Sequence, residues 1–189
     1  PEDQLNRTDV AQPALYTCAV ASWRALTAKN AIPHPLGLAA GLSLGEYTAL
    51  HLAGAFSFAD GLRLVARRGR YMQEAAVSSR GSMVALIGAE PDQAEALCRD
   101  AAGDDVLVCA NFNAPGQIVL SGSADACDRA VDLAGERGLR ATALAVAGAF
   151  HSPLMAPAAE RLAEALAHVD IHPLRVPVWS NVTAEPHDP

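Results

Sequence analysis

Leu36-Gly37-Leu38-Ala39-Ala40-Gly41-Leu42-Ser43-Leu44-Gly45-Glu46 is the stretch on which the fold turns. An apolar run, Leu36 to Ala40, enters the G-x-S-x-G pentapeptide Gly41 to Gly45, and a helix-like segment, Glu46 to Ala53, leaves it. Strand, sharp turn and helix in that order belong to an α/β core. A serine on such a turn is held in a strained backbone conformation. Its hydroxyl projects, and the flanking glycines remove side chains that would clash. The backbone N–H of Leu44 then lies at a helix N-terminus, where it can stabilise an oxyanion. This context points to acyl transfer through Ser43.

Composition narrows the class. The 189 residues suffice for one domain or for a core with a small subdomain. With 51% hydrophobic and 19% charged residues, the chain is globular. A net charge of −7, with no basic run interleaved with aromatics, argues against a nucleic-acid surface. No segment has the length of a membrane span and no cleavable signal pattern opens the chain, so the expectation is a cytoplasmic protein. Cys18, Cys98, Cys109 and Cys127 lack C-x-x-C spacing and fall in helix-like or strand-like segments. They are expected to be reduced and buried or half-buried. The six histidines are scattered, and none has metal-ligand spacing to a cysteine, so no metal site is expected.

Working outward, Pro13 suits the first turn of a helix through Ala14, Leu15, Ala19, Trp23 and Leu26, which Asn30 to Pro35 closes. Asp60 suits the N-cap of a helix over Gly61 to Ala76. From Ser82 the pattern changes: strand Met83–Ile87, helix Pro91–Ala101, strands Val106–Asn111 and Gln117–Ser121, helix Ala124–Arg137 and strand Arg140–Val146. The order βαββαβ over about sixty residues is a ferredoxin-like split motif, with Asn113-Ala114-Pro115-Gly116 turning between its central strands. It divides the chain into a core, residues 1–81 and 148–189, and an inserted subdomain, residues 82–147. The core resumes with a helix over Ala158 to Ala167, whose start Pro157 blurs or kinks, and a last strand around Val176–Ser180. A parallel core with so few strands is thin, so further material is expected at both ends.

Ser43 needs a base within hydrogen-bond reach. His51 follows it by eight residues on one helix, roughly 12 Å along the axis. His34 lies nine residues upstream across a strand, roughly 30 Å if extended. His168, His172 and His187 flank a late helix or the tail and suit solvated or capping roles. His151 remains, in a loop entering a helix after the small-residue run Ala145 to Phe150. A nearby helix N-terminus keeps an imidazole neutral, as a base requires. The ordinary alternative is a hydrogen-bonded turn histidine. Asp125, Asp128 and Asp132 all lie in the inserted unit, which leaves a backbone carbonyl to orient the ring.

A second signal comes from the helix after Asp60. Arg63, Arg67, Arg70 and Glu74 share one arc, an ordinary solvated face. Arg68 falls instead among Leu64, Val65, Tyr71, Met72 and Ala75. A buried arginine needs an anionic partner. Two fit: an internal carboxylate such as Glu46, or a substrate carboxylate held by the two-pronged guanidinium.

With these residues in hand, the chain resembles the malonyl-CoA:acyl carrier protein transacylases. The resemblance rests on Gly41 to Tyr47, Arg68-Gly69-Arg70-Tyr71-Met72-Gln73-Glu74-Ala75, Gly81-Ser82-Met83, Ala110 to Gln117, Phe150-His151-Ser152-Pro153-Leu154-Met155 and Asn181-Val182-Thr183. It implies an α/β-hydrolase-like core with a parallel sheet and an inserted ferredoxin-like subdomain. It implies Ser43 as the acylated nucleophile, His151 as general base, Arg68 as the grip on the malonyl carboxylate and Leu44 N–H as an oxyanion donor. Malonyl would pass from coenzyme A to Ser43 and on to the phosphopantetheine thiol of acyl carrier protein. No cofactor is implied, malonyl-CoA being substrate, and a monomer is expected.

The sequence departs from the family at Leu42, where a histidine is common. It also lacks the glycine-glutamine-rich loop expected before Pro1, which supplies a second oxyanion donor, and the C-terminal glutamine region that steadies the histidine. The expectation is a fragment holding half of an oxyanion hole. The acyltransferase domain of a polyketide synthase shares Ser43, Arg68 and His151. An α/β-hydrolase-type esterase requires an aspartate partner for the histidine and no cation in its acyl pocket. A protein-binding platform requires that Ser43 and His151 both be idle.

Overall fold

The computed structural model describes residues 2–5, 7–32 and 36–187. Its elements in chain order are α1 (Glu2–Leu5), α2 (Thr8–Ala28), α3 (Leu44–Ala53), α4 (Phe58–Ser78), β1 (Gly81–Ile87), α5 (Pro91–Ala102), β2 (Leu107–Ala114), β3 (Gln117–Ser123), α6 (Ala124–Glu136), β4 (Arg140–Ala143) and α7 (Ala156–Leu166), with a 3₁₀ turn at Pro153–Met155. The fold is mixed α/β. It divides into two compact units, residues 1–70 with 162–189, and residues 71–161.

In the first unit, α2 begins five residues before Pro13, which lies inside the helix. Extended Arg7 accepts from the Val10 and Ala11 N–H groups and pairs with Asp9 in the first turn. That acidic group at the helix start favours the earlier beginning. Tyr16 and Val20 of α2 are buried with Val65 of α4, and Leu44, Tyr47, Phe58 and Leu62 pack on them. Asp60 does not cap α4. The hydroxyl of Ser57, just before the helix, accepts from the Asp60 N–H and donates to its carboxylate, which also pairs with Arg63.

The expected strands Leu36–Ala40 and Val176–Ser180 shrink to one parallel bridge, Ala39 with Val178. Ala39 N–H donates to Pro177 carbonyl and Trp179 N–H to Ala39 carbonyl. Val178 is buried with Ala49 and Ala53 of α3, and Ala39, Leu50, Leu174 and Val176 cover them. A parallel segment under a helix is the packing an α/β core requires. Pro33, His34 and Pro35, to which the loop reading extended, lie outside the described residues.

In the second unit four antiparallel strands stand in the order β2-β3-β1-β4. Val84 and Leu86 of β1 and Ile118 and Leu120 of β3 face Ala94, Leu97 and Cys98 of α5 and Ala126, Cys127 and Ala130 of α6 in one buried cluster. Pro91 opens α5 behind a reciprocal cap between Glu90 and Gln93. Arg129 closes it, donating to the carbonyls of Ala101 and Ala102 and pairing with Asp105. β4 ends at Ala143, three residues short of the expected strand. Pro157 falls in the first turn of α7, where its missing N–H leaves no carbonyl without a partner. All four cysteines are free thiols; Cys18 is exposed, contrary to expectation.

Candidate active site

Ser43 takes φ 49° and ψ −102° immediately before α3, a positive φ that a non-glycine residue adopts only under constraint. The two glycines of the pentapeptide are not equivalent. A Cβ on Gly41 would lie 2.1 Å from the carbonyl carbon of Gly45 and 2.2 Å from its oxygen, whereas one on Gly45 would meet nothing within 4 Å. The tightness of the turn is a demand on Gly41, and Gly45 supplies the backbone that approaches it.

Arg68 projects from α4 to this turn. Its Nη2 donates to Ser43 Oγ at 2.9 Å and its Nη1 to Gln12 Oε1 at 2.6 Å. The guanidinium lies over the Tyr47 ring, 5.5 Å from its centroid, a favourable cation–π placement. Burial pulls the Arg68 pKa down from its ordinary value, with Tyr47 and Glu46 opposing, and burial pushes the Tyr47 phenol up. Among the described residues no carboxylate is paired with Arg68. Glu46, weighed as its internal partner, pairs instead with His187, Oε1 to Nε2 at 2.6 Å. Arg63, Arg67, Arg70 and Glu74 are exposed, as a solvated arc should be.

The turn is held from a third side. Asn181 Oδ1 accepts from the Ser43 N–H at 2.5 Å, and its Nδ2 donates to the Gly41 carbonyl at 2.7 Å. Its own N–H donates to Glu46 Oε2 at 3.4 Å. Leu44 is the first residue of α3, and no acceptor meets its N–H among the described residues. The leucine side chain packs on the Tyr16 cluster.

His151 lies in the second unit, exposed, with φ 60°. The following hydroxyl shapes its turn: Ser152 Oγ donates to the Ala149 carbonyl at 2.7 Å and accepts from the Leu154 N–H at 3.3 Å. Phe150 and Met155, on either side, pack on Ala75, Ala76 and Ala158. His51 is engaged elsewhere, its Nδ1 against the Phe56 carbonyl and its ring edge-on to Tyr16. His187, expected in a solvated or capping role, is a half-buried partner of Glu46.

The structure therefore gathers Ser43, Leu44 and Arg68 in one unit and adds Gln12 and Asn181, which sequence reasoning missed. Gln12 was findable. It shares the buried face of α2 with Tyr16 and Val20 at four-residue spacing, the test that singled out Arg68. The signal for Asn181 is subtler: the parallel Ala39–Val178 register carries the residues after Val178 alongside the serine turn.

The site is thus a serine at a strained turn before a helix, with a half-buried cation on its hydroxyl. The acyl transferase domain family matches residues 1–189, and the chain belongs to it. Over 184 residues it is 42% identical to the malonyl CoA-acyl carrier protein transacylase of Salmonella typhimurium, covering 96% of this chain and 59% of that protein. The solved malonyl-CoA:acyl carrier protein transacylase of Xanthomonas oryzae pv. oryzae is 49% identical with a TM-score of 0.95, over 100% of this chain and 60% of that one. A malonyl-transacylase solved in complex with its type II polyketide-synthase acyl-carrier protein is 38% identical with a TM-score of 0.94, over 100% of this chain and 61% of that one. The chain thus spans about three fifths of the length of these relatives.

Proposed function

We propose that this chain carries the nucleophile and acyl-selecting groups of a malonyl-CoA:acyl carrier protein transacylase. Ser43 Oγ attacks the thioester carbonyl of malonyl-CoA while His151 takes its proton. The Leu44 N–H, at the start of α3, holds the oxyanion that forms. Collapse expels the coenzyme A thiol, protonated by His151, and leaves malonyl esterified to Ser43. The phosphopantetheine thiol of acyl carrier protein then attacks that ester, gives up its proton to His151, and leaves with malonyl as Ser43 is restored.

The observation that carries this reading is Arg68. A half-buried cation with a neutral amide, a hydroxyl and an aromatic face as partners has lost part of its hydration with no anion in exchange, and a substrate carboxylate would supply one. In malonate one methylene separates the free carboxylate from the reacting carbonyl. A guanidinium that already touches the nucleophile's hydroxyl stands where that carboxylate must lie. An esterase has no use for such a cation. The names of the relatives, malonyl-CoA:acyl carrier protein transacylases, support this reading over that of a polyketide-synthase domain.

The finer architecture follows the same reading: residues 1–81 and 148–189 form an α/β-hydrolase-like core with a parallel sheet, and residues 82–147 a ferredoxin-like insertion. The β2-β3-β1-β4 order and the Ala39–Val178 bridge support it. A cytoplasmic monomer fits; among the described residues no helix is long and apolar enough to cross a membrane. Mass spectrometry of the intact protein after exposure to malonyl-CoA is expected to find a malonyl ester on Ser43, lost in Ser43→Ala. An unmodified Ser43 in folded protein would refute the mechanism.

A further inference from the structure

We infer that Asn181 is a positioning residue for the nucleophile, a role that rests on the acyl-transfer reading of Ser43. Its amide spans the strained turn, taking the Ser43 N–H on one side and the Gly41 carbonyl on the other. Both backbone groups lie in the segment with no room for a side chain at position 41. A side-chain amide offers one acceptor and one donor on the same plane, and the turn presents the complementary donor and acceptor. No other neutral side chain of that length satisfies both.

Two consequences follow from the geometry. The first concerns strain. Ser43 at φ 49° has no left-handed preference of its own, so an external clamp must hold it there. The second concerns which amide can act. With the Ser43 N–H committed to Asn181 Oδ1, the next N–H in the chain, that of Leu44, is the one left for an oxyanion. Asn181 thereby selects the catalytic donor as well as aiming the hydroxyl.

The clamp has its own anchor. The Asn181 N–H donates to Glu46 Oε2, and the other oxygen of Glu46 meets His187 Nε2. Glu46 lies in the first turn of α3, so the chain of contacts ties the segment after Val178 to the helix that begins at the nucleophile. Val182, the next residue, is 93% exposed and takes no part.

The test uses intact protein and two reagents. Malonyl-CoA reports acylation through the whole site, and a fluorophosphonate reports the reactivity of Ser43 without any demand on Arg68. Asn181→Ala is expected to lower the acylation rate at saturating malonyl-CoA about 10- to 100-fold, in the range of lost positioning and oxyanion contacts, with KM within about threefold. Fluorophosphonate labelling should slow in parallel. Asn181→Asp keeps the shape but sets a carboxylate against the Gly41 carbonyl, and should be as slow at an unchanged melting temperature. Val182→Ala should match wild type in both assays. Asparagine variants that acylate and label at the wild-type rate overturn the inference and leave the acyl-transfer reading intact. Wild-type protein that reacts with neither reagent overturns that reading instead.

Discussion

On the transacylase reading proposed above, replacing Arg68 by alanine should make acyl transfer indifferent to the charge of the acyl group. Nη1 is committed to Gln12, which fixes the plane of the guanidinium and leaves its Nη2 edge aimed at the nucleophile. A malonyl carboxylate arriving there would gain two charge-assisted hydrogen bonds, each worth about 1.5–3 kcal/mol. Part of that overlaps with displaced contacts, so a net loss of about 3–4 kcal/mol on removal is expected, or roughly 10²- to 10³-fold in kcat/KM for malonyl-CoA. Acetyl-CoA has no carboxylate to lose, and its transfer should stay within about threefold of wild type. The assay is transfer from each thioester to holo acyl carrier protein, followed by mass spectrometry of the carrier. Arg68→Lys should fall between, since a point charge keeps attraction but not the planar fork. Equal losses for malonyl and acetyl would refute the carboxylate role and mark Arg68 as a support for Ser43 alone.

Gly41→Ala should cost about 2–3 kcal/mol, because its methyl group has no space beside Gly45, and lower the melting temperature by roughly 5–10 °C. Gly45→Ala should leave the melting temperature unchanged or raise it, a result calorimetry checks, since nothing lies within 4 Å of the new carbon and alanine favours a helix by up to about 1 kcal/mol. Gln12→Ala leaves the guanidinium in place without its brace and is expected to raise KM for malonyl-CoA several-fold more than for acetyl-CoA in steady-state assays. In acid, Asp60 should reveal itself through helix α4. The Ser57 hydroxyl, then Arg63, holds its carboxyl below the ordinary value. Its contribution is therefore present above the unfolded carboxylate pKa and lost as pH falls through the lower folded one. Asp60→Asn should flatten that limb of a pH–melting curve.

Much of this was legible in the sequence because it follows local rules. The succession of strands and helices from β1 to β4 is spelled by alternation, glycine turns and capping residues. Arg68 stood out because one charged residue on an apolar arc breaks a helical period. Boundaries depended on partners the period does not encode. α2 starts at Thr8 because Arg7 and Asp9 meet there, and Pro13 is accommodated by the turns already formed. Leu36–Ala40 has the composition of a full strand, yet only Ala39 has a paired neighbour among the described residues. Asn181 belongs to a recognisable motif, but its contact with Ser43 joins residues 138 positions apart, which no local pattern can carry.

The spacing of α2 and α4 has a consequence for how such a site changes over time. A Cβ on Gly69 would lie 2.7 Å from the Thr8 carbonyl oxygen at the start of α2. The next helical turn of α2 carries Gln12, the brace of Arg68. One methyl group at position 69 would wedge the helices apart and withdraw the brace, leaving the cation free to swing from the nucleophile. On the transacylase reading proposed above, acyl preference would then depend on residues that never meet a substrate, and a change at position 69 could alter it with Ser43 and Arg68 untouched.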